Sequence, residues 1–292
     1  MNSGTSSESG DSTESAESER GRGRRLRREP PRFRRVEVRR ADGVSPRLLR
    51  VTLAGDELAD LVVDQPAASV RLLLPSPGTS ELVMPTWKGN EFLLPDGRRP
   101  ILRTFTPRNV DAPARELDID VVLHGGGVAA TWAPAARPGD PAAISGPGRG
   151  YDIDRGASGL LLAGDETALP AIGQLLEAAP ADLPVQVIVE IATPEARLHD
   201  LVPVGRRAAA GDDSSEVTVT WCDLPEGAQP GDALVDAVRR AEIGDGVRVW
   251  AAGEAAAVQR IRKHLFTERG LPRPHANVRG YWKHGRAGDT EG

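Results

Sequence analysis

Apolar positions in the first half of the chain come in short runs broken by Pro and Gly, and the runs over residues 33–39, 48–54, 69–74, 101–106, 117–123 and 142–146 predict β-strands. Six short strands separated by turn residues predict a small closed β-barrel. Leu117-Asp-Ile-Asp-Val-Val-Leu123 alternates over its first half, which predicts one buried and one wet face. Leu58-Ala-Asp-Leu-Val-Val63 has no alternation and reads as a short helical or irregular connection. Beyond residue 156 the period changes. Apolar strands at 160–163, 185–190, 216–221 and 248–252 alternate with helix-like segments at 168–179, 233–241 and 254–268, the pattern of a parallel sheet flanked by helices. In the last helix Val258, Ile261, His264 and Leu265 share the face expected to meet the sheet, while Arg260, Lys263 and Glu268 lie on the solvated side. Residues 204–215 show no apolar period and read as a long surface loop. The expected architecture is two-domain: an antiparallel β-barrel over residues 32–155, then an α/β parallel-sheet nucleotide-binding domain over 156–285, with tails at 1–31 and 286–292.

Composition narrows the class of molecule. With 292 residues, 39% hydrophobic and 27% charged, the chain has the makeup of a globular protein and room for two domains. The first thirty residues are nearly devoid of apolar side chains, acidic between Glu8 and Glu19 and basic between Arg20 and Arg28, so they predict a disordered tail without the apolar core of a secretory signal. A cytoplasmic protein with no membrane span is expected. Cys222 is the single cysteine, which excludes an internal disulfide and any thiolate-held cluster, and the five histidines show no metal-ligand spacing. No metal site is expected. The net charge of −5 argues against general nucleic-acid affinity. Nothing demands more than a monomer.

Candidate chemistry clusters at strand ends. In Leu160-Leu-Leu-Ala-Gly-Asp-Glu-Thr-Ala-Leu-Pro-Ala-Ile172 an apolar strand breaks at Gly164 into a turn and resumes at helical spacing, leaving backbone N–H groups and the positive end of a helix dipole for a ligand. The Gly-x-Gly-x-x-Gly fingerprint is absent, so Gly164, Asp165, Glu166 and Thr167 carry the nucleotide-binding expectation. Val249-Trp-Ala-Ala-Gly253-Glu254 repeats the design at the same sheet edge. In the first half, Arg103-Thr-Phe-Thr-Pro-Arg108 puts a cation, an aromatic ring and hydroxyls on one extended segment, able to address a phosphate and a ring system together. His124-Gly-Gly-Gly-Val-Ala-Ala-Thr-Trp132 follows a strand and precedes a helix start at Ala129, and its glycines permit close approach of a pyrophosphate or equally form a plain flexible loop. Glu190, at the end of a strand, fits either a ribose hydroxyl or a buried structural role.

Taken in order, these segments resemble the siderophore-interacting protein family, a branch of the ferredoxin-reductase-like superfamily. The resemblance rests on Gly164-Asp-Glu-Thr-Ala-Leu-Pro-Ala-Ile172 with Arg103-Thr-Phe-Thr-Pro-Arg108, Asp118-Ile-Asp-Val-Val-Leu-His-Gly125, Trp250-Ala-Ala-Gly-Glu254 and Gly280-Tyr-Trp-Lys283. It implies an FAD-binding barrel followed by a domain for NADH or NADPH, with the flavin ring between them. By the same resemblance Arg103 neutralises FAD phosphates, Phe105 lies against the isoalloxazine and Thr106 bonds near its reactive edge. His124, Gly125, Ala129, Ala130 and Thr131 hold the pyrophosphate region. The chain departs from the family in having Phe105 where Tyr is usual, and Gly127-Val-Ala-Ala130 where Gly-Pro-Ala-Ser is common, so Thr131 or backbone alone must replace a hydroxyl.

The implied reaction passes a hydride from the nicotinamide to FAD and single electrons from the flavin to a ferric siderophore, whose hard oxygen ligands hold Fe(II) far less well than Fe(III). No catalytic acid or base residue is required. Arg108, Lys263 and Lys283 are the candidate cations for an anionic chelate. The alternatives are a general flavin or electron-transfer reductase with a different acceptor, and a nucleotide-binding interaction protein whose basic tail meets nucleic acid or anionic lipid.

Overall fold

The computed structural model describes residues 32–88, 91–124, 126–203 and 217–285, and the unit from Arg32 onward is compact. The tails expected at 1–31 and 286–292, the loop at 204–215 and Gly125 lie outside the described residues.

The chain begins with β1 (Phe33–Ser45), β2 (Leu48–Ala54), β3 (Val70–Leu74), β4 (Thr86–Lys88), β5 (Glu91–Leu93), β6 (Ile101–Phe105), β7 (Pro107–Asp111), β8 (Glu116–Val122), α1 (Val128–Ala135) and β9 (Pro141–Ser145). Apart from the β4–β5 hairpin these strands form one seven-stranded sheet in the order β6-β3-β9-β1-β2-β8-β7, with antiparallel neighbours. Its two edge strands, β6 and β7, are consecutive in sequence and separated by Thr106 alone. A flat sheet of seven strands would be about 29 Å wide, whereas two Cα steps reach about 7.6 Å, so the sheet must curl until its edges meet. Among the described residues no ladder joins those edges, so the closed barrel expected from the strand pattern is corrected to one open along this seam, where the single residue Thr106 leaves no length for pairing. β1 serves two neighbours, pairing with β9 through Phe33–Glu37 and with β2 from Glu37 to Ser45, with an irregularity between Val38 and Arg40. Val36, Val38, Val51, Leu53, Leu72, Leu117, Ile119 and Ile144 fill the interior, and α1 plugs it with Ala133, Val128 and Trp132.

The expected wet face of the 117–123 strand is corrected by the structure. Asp118 and Asp120 are buried, the first accepting the Thr52 hydroxyl at 2.6 Å and the second held by both arms of Arg50 at 2.7 and 2.9 Å. The cause is tertiary: this side of the barrel packs against the second half of the chain, which alternation along one strand does not register.

That second half runs β10 (Gly159–Asp165), α2 (Leu169–Ala178), β11 (Val185–Ile191), β12 (Val217–Asp223), α3 (Asp232–Arg240), β13 (Val247–Glu254), α4 (Ala255–Lys263) and β14 (Ala276–Trp282). The five strands are parallel in the order β12-β11-β10-β13-β14. α2 covers one face through Ile172, Leu175 and Leu176, and α3 and α4 cover the other through Leu234, Val238, Val258 and Ile261. Burial on both faces explains why β10 and β11 read as continuous apolar runs. Val258, Ile261, His264 and Leu265 are all buried, as the helical period requires. The chain goes from β10 outward to β12 and then crosses to β13, so the carboxyl ends of β10 and β13 flank a topological switch point, where open α/β sheets hold ligands.

Candidate functional site at the barrel seam and sheet edge

Thr106, the single residue between the barrel edges, is buried, and its side chain lies beside the phenol of Tyr281 in β14, whose pKa burial pushes up and Thr106 pulls back down. The next residue, Trp282, donates its indole Nε1–H to Asp165 at 2.8 Å. Two consecutive residues of β14 thereby touch the barrel seam and the sheet switch point. Arg279 adds a third tie, donating to the carbonyls of Arg149 and Gly150 at 3.0 and 2.9 Å. From the other side, Gln174 of α2 bonds the Pro107 carbonyl and accepts the Ala67 N–H. The sequence placed no role on Tyr281, Trp282 or Gln174, and only Gly280-Tyr-Trp-Lys283, noticed as a motif, pointed there.

On the barrel side, β6 pairs with β3 along one edge and leaves the other toward the seam. Phe105 is half-buried against the barrel core, Arg103 donates to the Leu102 carbonyl at 2.8 Å, and Thr104 is exposed. Past β8, His124 is exposed and leads into Gly126 and Gly127. A side chain at Gly126 would meet nothing within 4 Å, and Gly127, at φ 92°, starts α1 with no side-chain cap and no acidic residue in the first turn. The opening N–H groups of that helix, at Val128, Ala129 and Ala130, have no partner within the helix. The Thr131 hydroxyl turns inward to the Gly127 carbonyl at 3.1 Å, so backbone rather than hydroxyl is offered to an anion.

At the sheet edge the acidic side chains are engaged by the protein. Asp165 accepts from the Thr167 N–H and hydroxyl on Oδ1, at 2.9 and 2.5 Å, and from the Glu254 N–H and Trp282 on Oδ2, at 2.9 and 2.8 Å. Burial pushes its carboxyl up, against the opposing pull of these donors. Glu254 caps α4 through the Ala257 N–H at 2.9 Å and accepts the His284 N–H at 3.2 Å. Glu166 takes both contacts from Arg47 Nε, at 3.0 and 2.9 Å, and the Ala192 N–H at 2.7 Å. Two glycines permit this convergence: a Cβ on Gly164 would stand 2.8 Å from the Ala252 carbonyl oxygen, and one on Gly253, at φ 152°, 2.6 Å from Asp165 Oδ2. The edge therefore presents backbone rather than carboxylates. Glu190 resolves to its structural reading, because its two oxygens accept the Gly231 and Leu234 N–H groups at 2.6 and 2.9 Å and hold the start of α3.

The three candidate cations part company. Lys283 is exposed beside Trp282, at the converging edge. Arg108 is engaged by Glu177 of α2 through both Nη atoms, at 3.2 and 2.5 Å. Lys263 closes α4, and its nine residues put Lys263 about 13 Å down the helix from Glu254, toward the opposite edge of the sheet. Helix direction thus sets Lys263 apart from Lys283.

A family model described as the siderophore-interacting FAD-binding domain matches residues 37–151, and one described as siderophore-interacting protein matches 157–285. The chain is 30% identical over 248 residues to the ferric vibriobactin reductase ViuB of Vibrio cholerae, covering 83% of this chain and 86% of that protein. Among solved structures it is similar to a siderophore utilization protein from T. fusca, at 36% identity and TM-score 0.73, covering 88% of this chain and 95% of the other. The ferredoxin reductase of carbazole 1,9a-dioxygenase, at 15% identity and TM-score 0.61 over 87% of this chain and 70% of that one, shares the fold.

Proposed function

We propose that this chain, which belongs to the siderophore-interacting protein family, is an FAD-dependent reductase that takes electrons from NADH or NADPH and releases Fe(II) from ferric siderophores in the cytoplasm. The observation that carries the reading is β14, whose Tyr281 and Trp282 bring the barrel seam and the switch point of the sheet into one place. The residues present suit FAD. An uncapped helix start behind Gly126 and Gly127 suits its pyrophosphate, with His124 beside it, and the free edge of β6 from Arg103 to Thr106 suits the ring. When bound, FAD supplies the conversion of one two-electron hydride into two one-electron transfers, enough for two ferric ions.

The protein's share is placement. Arg103 supplies positive charge beside the phosphates, and the exposed part of Phe105 offers a flat apolar surface to the ring. The backbone at Gly164–Thr167 and Gly253–Glu254 receives the nicotinamide nucleotide at the switch point, with residues 32–155 and 156–285 acting as the two cofactor domains. Lys283 draws the anionic chelate toward the exposed edge. No residue need give or take a proton. Among the described residues no helix is long and apolar enough to cross a membrane, and no cluster of side chains suited to a metal is present.

The test is an anaerobic visible spectrum of the purified chain, followed through addition of NADH or NADPH and then a ferric siderophore. The expected course is a flavin spectrum that bleaches with one nucleotide and recovers with the chelate. Bleaching without recovery moves the acceptor elsewhere, toward free flavin or a protein. A colourless chain that takes up no added FAD ends the reading.

A further inference from the structure

One buried ion pair runs between the two halves of the proposed site. Arg47 lies in the turn between β1 and β2, and its carbonyl accepts the Leu123 N–H at 2.7 Å, directly before His124 and the glycines that lead into α1. Its guanidinium crosses to Glu166, whose side chain is 8% exposed and lies in the turn after β10. Glu166 also takes the Ala192 N–H at the end of β11 at 2.7 Å. The route from the helix start at α1 to the turn at the switch point is therefore His124, the Leu123 amide, Arg47 and Glu166, each joined to the next by a covalent or hydrogen bond. Arg108–Glu177, elsewhere on the same contact between the halves, reaches neither turn.

Resting on the flavoprotein reading, we propose that Arg47 and Glu166 are positioning residues that couple the two cofactor subsites, so that filling one strengthens binding at the other. Arg47 touches both sides at once: its carbonyl holds the strand end that leads to α1, and its guanidinium holds the carboxylate that also fixes the end of β11. A ligand that shifts one turn therefore shifts its partner through the pair, and the second ligand meets a turn already placed. Coupling of this kind is reciprocal, so FAD alters the affinity for nucleotide by the factor with which nucleotide alters the affinity for FAD. Glu166, expected from sequence to touch the nucleotide, acts instead through Arg47 and Ala192.

The experiment is a fluorescence titration of the flavin-free full chain with FAD, alone and with saturating NAD+ or NADP+, oxidised nucleotides that bind without turnover. In the wild type one nucleotide is expected to tighten FAD by about fivefold or more. Glu166→Gln brings that factor close to one, and Arg47→Met does the same from a side chain that is 27% exposed, serving where Glu166→Gln fails to fold. Arg47→Lys, with charge but no fork, keeps an intermediate factor. Glu177→Gln breaks the other ion pair and keeps the wild-type factor. A wild type that shows no shift with either nucleotide, coupling that survives both Glu166→Gln and Arg47→Met, or coupling lost in Glu177→Gln each overturns the proposal. FAD that binds without coupling leaves the flavoprotein reading intact, whereas FAD that does not bind ends both.

Discussion

Asp165, Glu166, Glu190 and Glu254 all stand at the carboxyl edge of the sheet, and all turn their oxygens toward protein donors. Glu190 is buried, with both oxygens taken up by the start of α3. Glu190→Gln keeps one acceptor for two amides and is expected to cost about 1–2 kcal/mol in urea denaturation, while the NADH-to-NADPH ratio of kcat/KM stays unchanged. Its titration gives a second prediction. Burial raises the Glu190 carboxyl above its ordinary 4.5, so between 4.5 and the raised value the folded chain holds a proton that the unfolded chain has released. The stability from this group is complete below 4.5 and is lost as pH rises through the folded value, and Glu190→Gln flattens that limb when denaturation is repeated from about pH 4 to about pH 7. Asp165 is raised in the same direction and leaves a residual slope. Among the cations, Lys283→Glu is expected to lower kcat/KM for an anionic ferric chelate several-fold, and Lys263→Glu to leave it unchanged. Equal effects would remove Lys283 from the site.

Elements whose burial follows their own period were legible in the sequence. β10, β11 and β13 carry enough apolar residues to declare themselves, and α4 shows its buried face directly. Edge elements were not. β7 is Pro-Arg-Asn-Val-Asp with Val110 its one apolar residue after the proline, and β14 interleaves Asn277, Arg279 and Gly280 with its apolar positions. Such strands are held by a neighbour on one side and by side-chain bonds across the molecule, which leave no local period. The helix expected through 268 is α-helical to Lys263 and continues as a π turn from His264 to Glu268, where His264 pairs with Glu268 at 2.8 Å. At this scale the sharpest test is Gly164→Ala. Its Cβ would press on Ala168 and the Ala252 carbonyl, backbone that has nowhere to yield, so a loss of about 1–3 kcal/mol in thermal or urea unfolding is expected, with a raised KM for the nucleotide.

For the molecule as a whole, the sequence located the strand-end turns but not the bonds between them. Arg47 and Glu166 are 119 residues apart, and Trp282 and Asp165 are 117 apart. Neither spacing follows any rule a single chain displays. What motif reading supplied was backbone: glycine at the bends after β10 and β13 and ahead of α1. What it could not supply was the protein donors folded around the strand-end carboxylates, which come from distant parts of the chain. The unit from Arg32 onward is compact without the first 31 residues. Deleting residues 1–30 is therefore expected to leave nucleotide-driven flavin bleaching at its wild-type rate, and a loss of that reaction would assign the tail a part in it.

The place of β14 in the chain has a consequence for the order of assembly on the ribosome. Every strand of the barrel has emerged once Ser145 is made, since β9 completes the pairing with β1 and β3. Arg279 and Tyr281, which bring the parallel sheet against the first half of the chain, emerge more than a hundred residues later. At ~5–20 residues per second that gap lasts from several seconds to nearly half a minute. During that interval a nascent barrel exposes its seam, with Thr106 not yet covered by Tyr281.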